Sequence, residues 1–517
     1  MLTNANNLRA MVRRVRRTIY RGRSTGAGAP GVVVRQLQCL MLSVALVVTQ
    51  THPAFAQETS KLKIPNLGDA STSLFSSEYE YQLGRAWLRV FRSQADTSDD
   101  PLLFDYLEGL IFDLVTHSEL QDRRLDLVVV DNPTINAFAV PGGVIGIHTG
   151  LLVHAQTEDE LATVIAHEIA HLSQRHFSRR LEFAQSRQKL TLAAMLAGLA
   201  LVAAAGSNAG MAALTAAQAA AQDSALRYSR GAEAEADRVA MKTMVASGRD
   251  PHAAAKMFER MLQASRFATG NRVPEFLRTH PLSENRIADT RNRARQYPKK
   301  IRPAKLDYQL MRSRVKNALA GSPVAAIESF RNELKGSPTS TTAARYGLVL
   351  ALTDAGRTDE AALELDSLWA KQPDRVEYII ADAKIKVANG DAELAGKKLE
   401  AALELRPSNH ALTVTYAEAL MQSQQSHIAE EVLIKHSRKR PNDPYVWYLL
   451  AEAQGLSGNI VGLHQARAEY FILNGILDQA EKQLRYALEL VNNDYTTSAK
   501  VNQRLQDISQ MREILDS

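Results

Sequence analysis

Two histidines four residues apart flank a glutamate in the stretch IAHEIAHLSQRH, which covers residues 165–176. If the stretch is helical, the rings of His167 and His171 project from one face about 6 Å apart, so they can bind one cation together. Glu168 is displaced by about 100° around the helix, beside the metal, where it can take a proton from a zinc-bound water. The spacing predicts a zinc site with Glu168 as its base; two histidines on an ordinary surface helix are the alternative.

A catalytic zinc needs a third protein ligand. His176 follows His171 by five residues and would point about 100° away on a continuing helix, so we interpret it as a polar residue at the helix end. Glu233 and Asp237, in the stretch SRGAEAEAD, share one face of a second predicted helix. We expect Glu233 to bind zinc and Asp237 to accept a hydrogen bond from a ligand histidine. Glu235 is about 200° from Glu233 and is expected to face away. The alternative is an alanine-rich helix with solvated acids.

The sequence also indicates the elements that must hold these residues. Thr157 and Glu160 have the spacing of a capping box and precede an apolar stripe of helical period, which predicts a helix that starts there and carries the two histidines. The stretch LDLVVVDNPTINAFAVPGGVIGIHTGLL predicts strand, turn and strand, with paired glycines that allow close backbone approach. His280 precedes Pro281, which disfavours helix and predicts a loop.

Residues 1–56 have the composition of an export signal. They contain eight arginines, no acidic residue, an apolar run from Leu37 to Val48, and a final A-F-A triplet. This order is typical of a cleaved signal peptide, and about twelve apolar residues are too few to span a membrane. Removing the eight positive charges changes the formal net charge from +6 to −2, so we expect no nucleic-acid binding. The single cysteine, Cys39, is removed as well, which excludes disulfides from the exported chain.

The C-terminal part of the chain repeats with a period of 34 residues. The landmarks with this spacing are Pro373, Pro407 and Pro441; Ala361, Ala395 and Ala429; and Gly356, Gly390 and, two periods on, Gly458, with Gln424 in the intermediate slot. Such a period is typical of tetratricopeptide repeats, in which small residues let paired helices pack. We predict a helical solenoid that docks peptide or protein on a concave surface; a generic helical bundle is the alternative.

Four motifs together resemble one family. HEIAH and, about sixty residues later, SRGAEAEAD are accompanied by NAFAVPGG at residues 136–143 and THPLSENRIAD at residues 279–289. In this order they resemble the zinc metallopeptidase family that includes HtpX and the CAAX prenyl proteases. The resemblance implies that His167, His171 and Glu233 bind one zinc ion per chain and that Glu168 is the base. It also implies a mainly α-helical chain, with an α+β gluzincin-type peptidase domain followed by the tetratricopeptide solenoid.

The same resemblance implies roles for three further residues. A strand edge beside the site receives substrate as an added strand, with Asn136 as a polar contact; an ordinary hairpin is the alternative. His280 reaches the zinc as a fourth, inhibitory ligand, and Arg286 stabilises the tetrahedral oxyanion. If His280 occupies the open position of the zinc, the enzyme is latent.

We divide the chain into a signal peptide at 1–56, a zinc metallopeptidase domain at 57–297, a basic, proline-flanked linker at 298–310 and a tetratricopeptide repeat domain at 311–517. The apolar run from Leu190 to Ala205 is about sixteen residues long, which is marginal for a membrane span. We expect it to form a flap over the active site or to touch a membrane surface, and a buried helical hairpin is the alternative.

These predictions describe an exported zinc endopeptidase located in the periplasm after cleavage near Ala56. By the resemblance, its substrates are misassembled outer-membrane proteins, whose assembly it also assists, and its repeats contact the beta-barrel assembly machinery. The alternative is a repeat-scaffold chaperone for outer-membrane protein assembly in which proteolysis is secondary.

Overall fold

A computed structural model of the chain describes residues 76–180, 182–183, 229–266, 275–299, 303–491 and 494–516. The elements below belong to one compact unit, Ser76–Phe177 with Tyr228–Ser517. The predicted signal peptide and the apolar run from Leu190 to Ala205 lie outside the described residues. Among the residues that are described, no helix combines the length and the apolar composition needed to cross a membrane.

The N-terminal part is mixed α and β, and we call it the peptidase part. Its elements, in chain order, are α1 (Ser77–Gln94), α2 (Pro101–Thr116), β1 (Asp126–Val130), β2 (Ala137–Val140), β3 (Val144–His148), α3 (Thr149–His154), α4 (Glu158–Ser173), α5 (helical residues 229–246), α6 (His252–Arg266), α7 (Glu275–Thr279) and α8 (Glu284–Ala294).

The three strands form one sheet in the order β1-β3-β2. β1 pairs with β3 in parallel, and β2 pairs with β3 antiparallel, with Ala137 opposite Ile147. The turn between β2 and β3 contains Gly142 and Gly143 at φ of 82° and 79°. A Cβ on Gly142 would lie 2.4 Å from the carbonyl oxygen of Glu80, so the turn needs glycine for space as well as for its left-handed backbone. The predicted glycine turn between two strands is confirmed, and the same stretch contains a third strand, β1, that the sequence analysis did not predict.

Helix α4 is the buried centre of the peptidase part, and its start is the predicted one. The hydroxyl of Thr157 accepts a hydrogen bond from the backbone N–H of Glu160 at 3.2 Å, and the Glu160 carboxylate accepts one from the N–H of Gln156 at 2.7 Å. Three acidic residues in the first turn also suit the positive end of the helix dipole. The helix then packs against α2, β2 and α6, which places its central residues away from solvent.

The C-terminal part consists of antiparallel helix pairs, and we call it the repeat part. Its helices are α9 (Leu306–Leu319), α10 (Pro323–Lys335), α11 (Thr341–Asp354), α12 (Thr358–Trp369), α13 (Val376–Ala388), α14 (Ala392–Leu405), α15 (His410–Gln422), α16 (Ser426–Lys439), α17 (Pro444–Ser457), α18 (Ile460–Leu473), α19 (Leu477–Leu490) and α20 (Tyr495–Asp516). Helix α9 begins inside the range that the sequence suggested as a linker.

The landmarks of the 34-residue period have the structural roles that the repeat predicts. The alanines, each fully buried between paired helices, are Ala361, Ala395 and Ala429. The glycines adopt left-handed backbone after the first helix of a pair, at Gly356, Gly390 and Gly458. Gln424, which occupies the same slot in the intermediate repeat, adopts the same conformation with φ 62°. The helical repeat fold is therefore confirmed.

The peptidase and repeat parts share one hydrophobic core and are joined by buried polar contacts. Tyr308 of α9 is fully buried and donates to the carbonyl oxygens of Leu152 and Ala155 at 3.0 and 2.7 Å. Arg314 of α9 pairs with Asp100 at 2.6 Å, just before α2. Helix α15 also packs on α2, so the peptidase part itself covers some of the repeat surface.

Candidate metal centre

The predicted site residues come from three separate stretches of chain. Helix α4 carries His167, Glu168 and His171, and α5 carries Glu233 one turn before Asp237. His280 follows α7 directly, in the loop that its proline predicted. His167, Glu168 and Glu233 are 1%, 2% and 6% exposed, so the polar centre is buried by tertiary packing.

One ligand atom each from His167, His171, Glu233 and His280 lies within 4.8 Å of the other three. The Nε2 atoms of His167 and His171 are 3.0 Å apart. Glu233 places its two oxygens 3.3 Å from His167 Nε2 and 3.4 Å from His171 Nε2. Four donor groups that converge in this way can share one small cation.

These separations fit a tetrahedral metal ion. Ligand atoms about 2.0–2.1 Å from a tetrahedral zinc lie roughly 3.3 Å from each other, which is the spacing that the imidazole and carboxylate atoms have here. Two imidazole nitrogens facing each other at 3.0 Å are also difficult to satisfy without a shared proton or a cation. The donor set of imidazole and carboxylate suits zinc among the common metals.

His280 lies against the other three groups of the cluster. Its Nδ1 lies 3.4 Å from His167 Nε2 and 3.0 Å from a Glu233 oxygen, and its ring stacks on Phe276 with centroids 4.7 Å apart. Its Nε2 faces Glu168 Oε1 at 3.6 Å. The His280 ring therefore lies between the other three ligand groups and the candidate base.

Asp237 and Arg286 brace the ligand groups. Asp237 Oδ1 lies 3.0 Å from His167 Nδ1, the nitrogen that faces away from the cluster. Arg286 makes a two-point contact with the Asp237 carboxylate at 2.8 and 2.9 Å, and its Nη1 lies 3.0 Å from a Glu233 oxygen. The same Nη1 donates to the carbonyl oxygen of Pro281 at 2.8 Å. Arg286 thus links the Glu233 and Asp237 carboxylates to the loop that carries His280.

The charges of the cluster are strongly coupled. Burial opposes protonation of His167, but its contacts with the Asp237 and Glu233 carboxylates outweigh it and raise its pKa to about 10. Burial also works against ionised Glu233, yet its contacts with His167 and His280 hold its pKa well below the usual range. The cluster therefore stabilises positive charge between the ligand groups, which is the role a bound cation would take over.

Glu168 has different electrostatics. Burial raises the pKa of its carboxyl, partly offset by the positive charges of His280 and His167. The nearby backbone N–H of Ala139 in β2 also lowers the pKa of this carboxyl, while Oε1 accepts no hydrogen bond from the residues the structure describes. A buried carboxylate with a raised pKa and an oxygen directed into the site suits a general base.

The expected orientation of His176, away from His171, was wrong. His176 is 6% exposed; its Nδ1 lies 2.9 Å from His171 Nδ1, and its Nε2 lies 3.1 Å from Glu235 Oε2. The reason is a break in the helix, because α4 ends at Ser173 and Arg175 adopts left-handed backbone at φ 51°. No glycine or proline marks this break, so the only signal in the sequence was a further histidine and a further glutamate beside the two motifs.

Asn136 lies immediately before β2 and is 5% exposed. Its side-chain nitrogen is 3.3 Å from His148 Nε2, while its Oδ1 accepts no hydrogen bond within the described parts of the chain. Of the described strands, only β3 pairs with β2, so the other edge of β2 runs beside Glu168 and α4. The arrangement brings a metal-binding cluster, a base and a strand edge together.

Comparison with known proteins agrees with this geometry. A model of peptidase family M48 matches residues 101–294, and a model of the tetratricopeptide repeat matches residues 386–453. M48 peptidases are metal-dependent.

Three curated relatives illustrate the extent of the similarity. The beta-barrel assembly-enhancing protease of Escherichia coli (strain K12) is 33% identical over 481 residues, which cover 91% of this chain and 96% of the relative. That of Yersinia pestis is 31% identical, covering 87% and 92% of the two chains. The mitochondrial metalloendopeptidase OMA1 of Schizosaccharomyces pombe is 30% identical over 190 residues, or 35% of this chain and 50% of that one. With similarity across both parts, the chain belongs to the beta-barrel assembly-enhancing protease family of M48 metalloendopeptidases.

Proposed function

We propose that the protein is an exported, zinc-dependent endopeptidase that cleaves misassembled outer-membrane proteins and assists their assembly. The observation that carries the proposal is the convergence of the four ligand groups beside a buried carboxylate. His167, His171 and Glu233 would hold one zinc ion per chain. The outer-membrane substrates are inferred from the names of the relatives, which describe proteases that enhance beta-barrel assembly.

Glu168 is the general base and acid of the proposed reaction. When bound, zinc polarises the scissile carbonyl and lowers the pKa of water to about 7. Glu168 accepts a proton from the attacking water and returns it to the leaving amine. Its raised pKa reduces the cost of holding that proton between the two steps. Asp237 orients the His167 ring from behind through the contact at 3.0 Å.

Substrate binds in this proposal as an extra strand along the outer edge of β2. An extended peptide there gains backbone hydrogen bonds, which hold it in line with Glu168 irrespective of its sequence. Asn136, with one side-chain nitrogen engaged by His148, still has its buried Oδ1 available to accept a hydrogen bond from substrate. Such recognition suits a protease whose substrates share exposed strands and no common side chain.

His280 is proposed to be an inhibitory fourth ligand. Its ring lies between the ligand groups and Glu168, in the space that a water and a substrate carbonyl would need. We expect His280→Ala to raise the rate of proteolysis by opening this space. Unchanged or lower proteolysis in the folded, zinc-loaded variant would show that His280 is no latch.

Arg286 is proposed to stabilise the oxyanion once the His280 loop moves. In the present arrangement its guanidinium is held by Asp237, Glu233 and the Pro281 carbonyl. Displacement of His280 carries Pro281 with it and removes one of these partners. The Nη1 of Arg286 then has an N–H free to donate to the developing charge.

The proposed function also includes a cellular location for the protein and a partner for its repeat part. The leader at residues 1–56 would direct the chain to the periplasm and be cleaved near Ala56. The repeat part would contact the beta-barrel assembly machinery through surface that the peptidase part leaves open. A scaffold chaperone with secondary proteolysis is less favoured, because the relatives are named as proteases.

The test compares wild type with Glu168→Gln, in the full exported chain, for zinc content and for cleavage of an unfolded outer-membrane protein. We expect zinc to be retained and cleavage to fall about 100- to 10,000-fold, the contribution of a general base. Glu393→Gln, at an exposed position on α14, is the matched control and should change neither property. Cleavage retained by Glu168→Gln would remove Glu168 from its role. Outer-membrane assembly that depends on the chain but not on Glu168 would favour the chaperone.

A further inference from the structure

The two histidines of α4 are supported differently at the nitrogens that face away from the ligand cluster. His167 Nδ1 meets a carboxylate directly, Asp237 Oδ1 at 3.0 Å. His171 Nδ1 meets another imidazole instead, His176 Nδ1 at 2.9 Å. The chain of contacts continues to a carboxylate, because His176 Nε2 lies 3.1 Å from Glu235 Oε2.

Only one arrangement of protons satisfies this series of contacts while His171 binds a metal. The Nε2 of His171 must then be a bare lone pair, so its proton is on Nδ1. That N–H can donate only if His176 Nδ1 is an acceptor, which places the His176 proton on Nε2. The His176 Nε2–H in turn needs an acceptor, and the Glu235 carboxylate is one. A neutral His176 therefore fits both neighbours at once.

We propose that His176 and Glu235 form a relay that fixes the tautomer and ring orientation of His171 for metal binding. Both are positioning residues, because neither reaches the space between the ligand groups and Glu168. The inference rests on the proposed zinc site and adds to it the support of its second histidine. Each of the two α4 histidines is then backed by one α5 carboxylate, His167 directly and His171 through an intervening ring.

The backbone supplies the placement of His176. Arg175 adopts left-handed backbone at φ 51°, a conformation that is unfavourable for a residue with a Cβ atom. Its guanidinium pairs with Glu80 of α1 at 2.7 Å, which holds the turn. The turn brings His176 back against His171, with ring centroids 4.8 Å apart, where a continuing helix would have pointed it away. The left-handed turn at Arg175 thus positions His176 for the relay.

The two members should differ in how much they matter. His176 is buried, whereas the Glu235 side chain is 31% exposed, so a water can replace its carboxylate in part. In a His176→Asn variant, the asparagine oxygen can lie near the position of the His176 Nδ1 atom and accept a hydrogen bond from His171. The asparagine side chain cannot reach Glu235. These differences give a graded set of variants.

The experiment measures zinc affinity of the full-length chain by competition with a chelator. We expect His176→Phe to weaken zinc binding about 10- to 100-fold, the usual effect of losing a partner behind a metal ligand. His176→Asn should stay within a few-fold of wild type, and Glu235→Ala should lose about 3- to 10-fold. In a His176→Phe background, Glu235→Ala should cause no further loss, because the carboxylate then has no ring to orient.

His436→Phe, which replaces a buried histidine of the repeat part, is the control and should leave zinc affinity unchanged. Losses that multiply in the double variant would overturn the relay, as would wild-type affinity in folded His176→Phe. If His176→Phe does not fold, the same cycle with His176→Asn and Glu235→Ala decides, since the relay again predicts no further loss. Failure of the wild type itself to bind zinc would refute the proposed zinc site, a different result from failure of the relay.

Discussion

The ligand cluster and the tetratricopeptide repeats obtain their order from opposite kinds of contact. In the repeats, Ala395 and its equivalents are buried against helices adjacent in sequence, and the same contacts recur every 34 residues. In the cluster, His167 meets His280 across 113 residues of chain, and nearly every contact is polar and buried. Repeated local contacts give a fold that tolerates the weakening of one unit. Single long-range polar contacts give a site that fails when one member is removed.

The largest effect is expected from Glu233→Ala. The change removes the proposed zinc ligand together with its contacts to Arg286 and to three histidines, so zinc affinity should fall by more than about 100-fold and proteolysis should become undetectable. Zinc content and peptide cleavage measure the result. Glu404→Ala on α14 is a control of the same kind in the repeats. Appreciable proteolysis by the Glu233 variant would break the contrast between an indispensable site and tolerant repeats.

The junction between the two parts combines both kinds of contact, and Arg314→Ala tests it. Loss of this buried guanidinium removes its ion pair with Asp100, and we expect the free energy of unfolding to fall by about 3 kcal/mol, the low end for broken buried pairs. Urea denaturation gives the value. Arg345→Ala removes a pair whose members are both 35% exposed and should cost at most about 1 kcal/mol. Equal losses would contradict the importance of burial.

Within the repeats, Ala395→Leu should destabilise without affecting the site. Ala395 is fully buried, so a larger side chain must displace neighbouring helices at a cost of about 1–3 kcal/mol. Urea denaturation and zinc competition, measured on the same sample, separate the two properties. The neighbouring Leu394 is 47% exposed, and Leu394→Ala should be nearly neutral. A parallel drop in zinc affinity would show that the repeats and the cluster are coupled.

The smallest expected effect is on the pH dependence of folding stability. Burial lowers the pKa of His410 to about 3 and that of His436 to about 4, so both are neutral in the folded chain. Above the unfolded-state pKa near 6.5, their contribution to the free energy of unfolding does not change with pH. Below it the unfolded chain binds protons first, and stability is lost as pH falls towards 4. Between pH 7 and pH 5, His436→Gln should lose about 1–2 kcal/mol less stability than wild type.

The carboxyl group of Asp105 changes the stability with pH in the opposite direction to the two histidines. Burial raises the pKa of Asp105 to about 6, so its buried negative charge destabilises the folded chain above that pH. Protonation removes this destabilisation as the pH falls below about 6. Asp105→Asn removes this compensation and should make the loss of stability between pH 7 and pH 5 larger than in wild type. Urea midpoints at the two pH values test both variants. A pH dependence that neither substitution changes would contradict the histidine and carboxylate contributions.

Sequence reasoning succeeded where a residue's role depends on its own helix or turn. The cap at Thr157, the helical face shared by His167 and His171, and the turn at Gly142 all follow from neighbours within a few residues. It failed for His176, because the extrapolated helix ends at Ser173 and the break depends on packing by distant residues. It also did not reveal that Arg286 grips the Asp237 carboxylate, since their pairing spans 49 residues.

The sequence by itself determined the kind of chemistry, the helices that carry it and the repeat that follows. Those features depend on residue type and on spacing within one or two helical turns, which short-range geometry dictates. Only the tertiary structure decided that His280 lies next to His167 and Glu233, that His176 contacts the second nitrogen of His171, and that the peptidase part covers some of the repeat surface. These contacts join distant residues, so they depend on how whole elements pack and on the burial that makes each polar partner necessary.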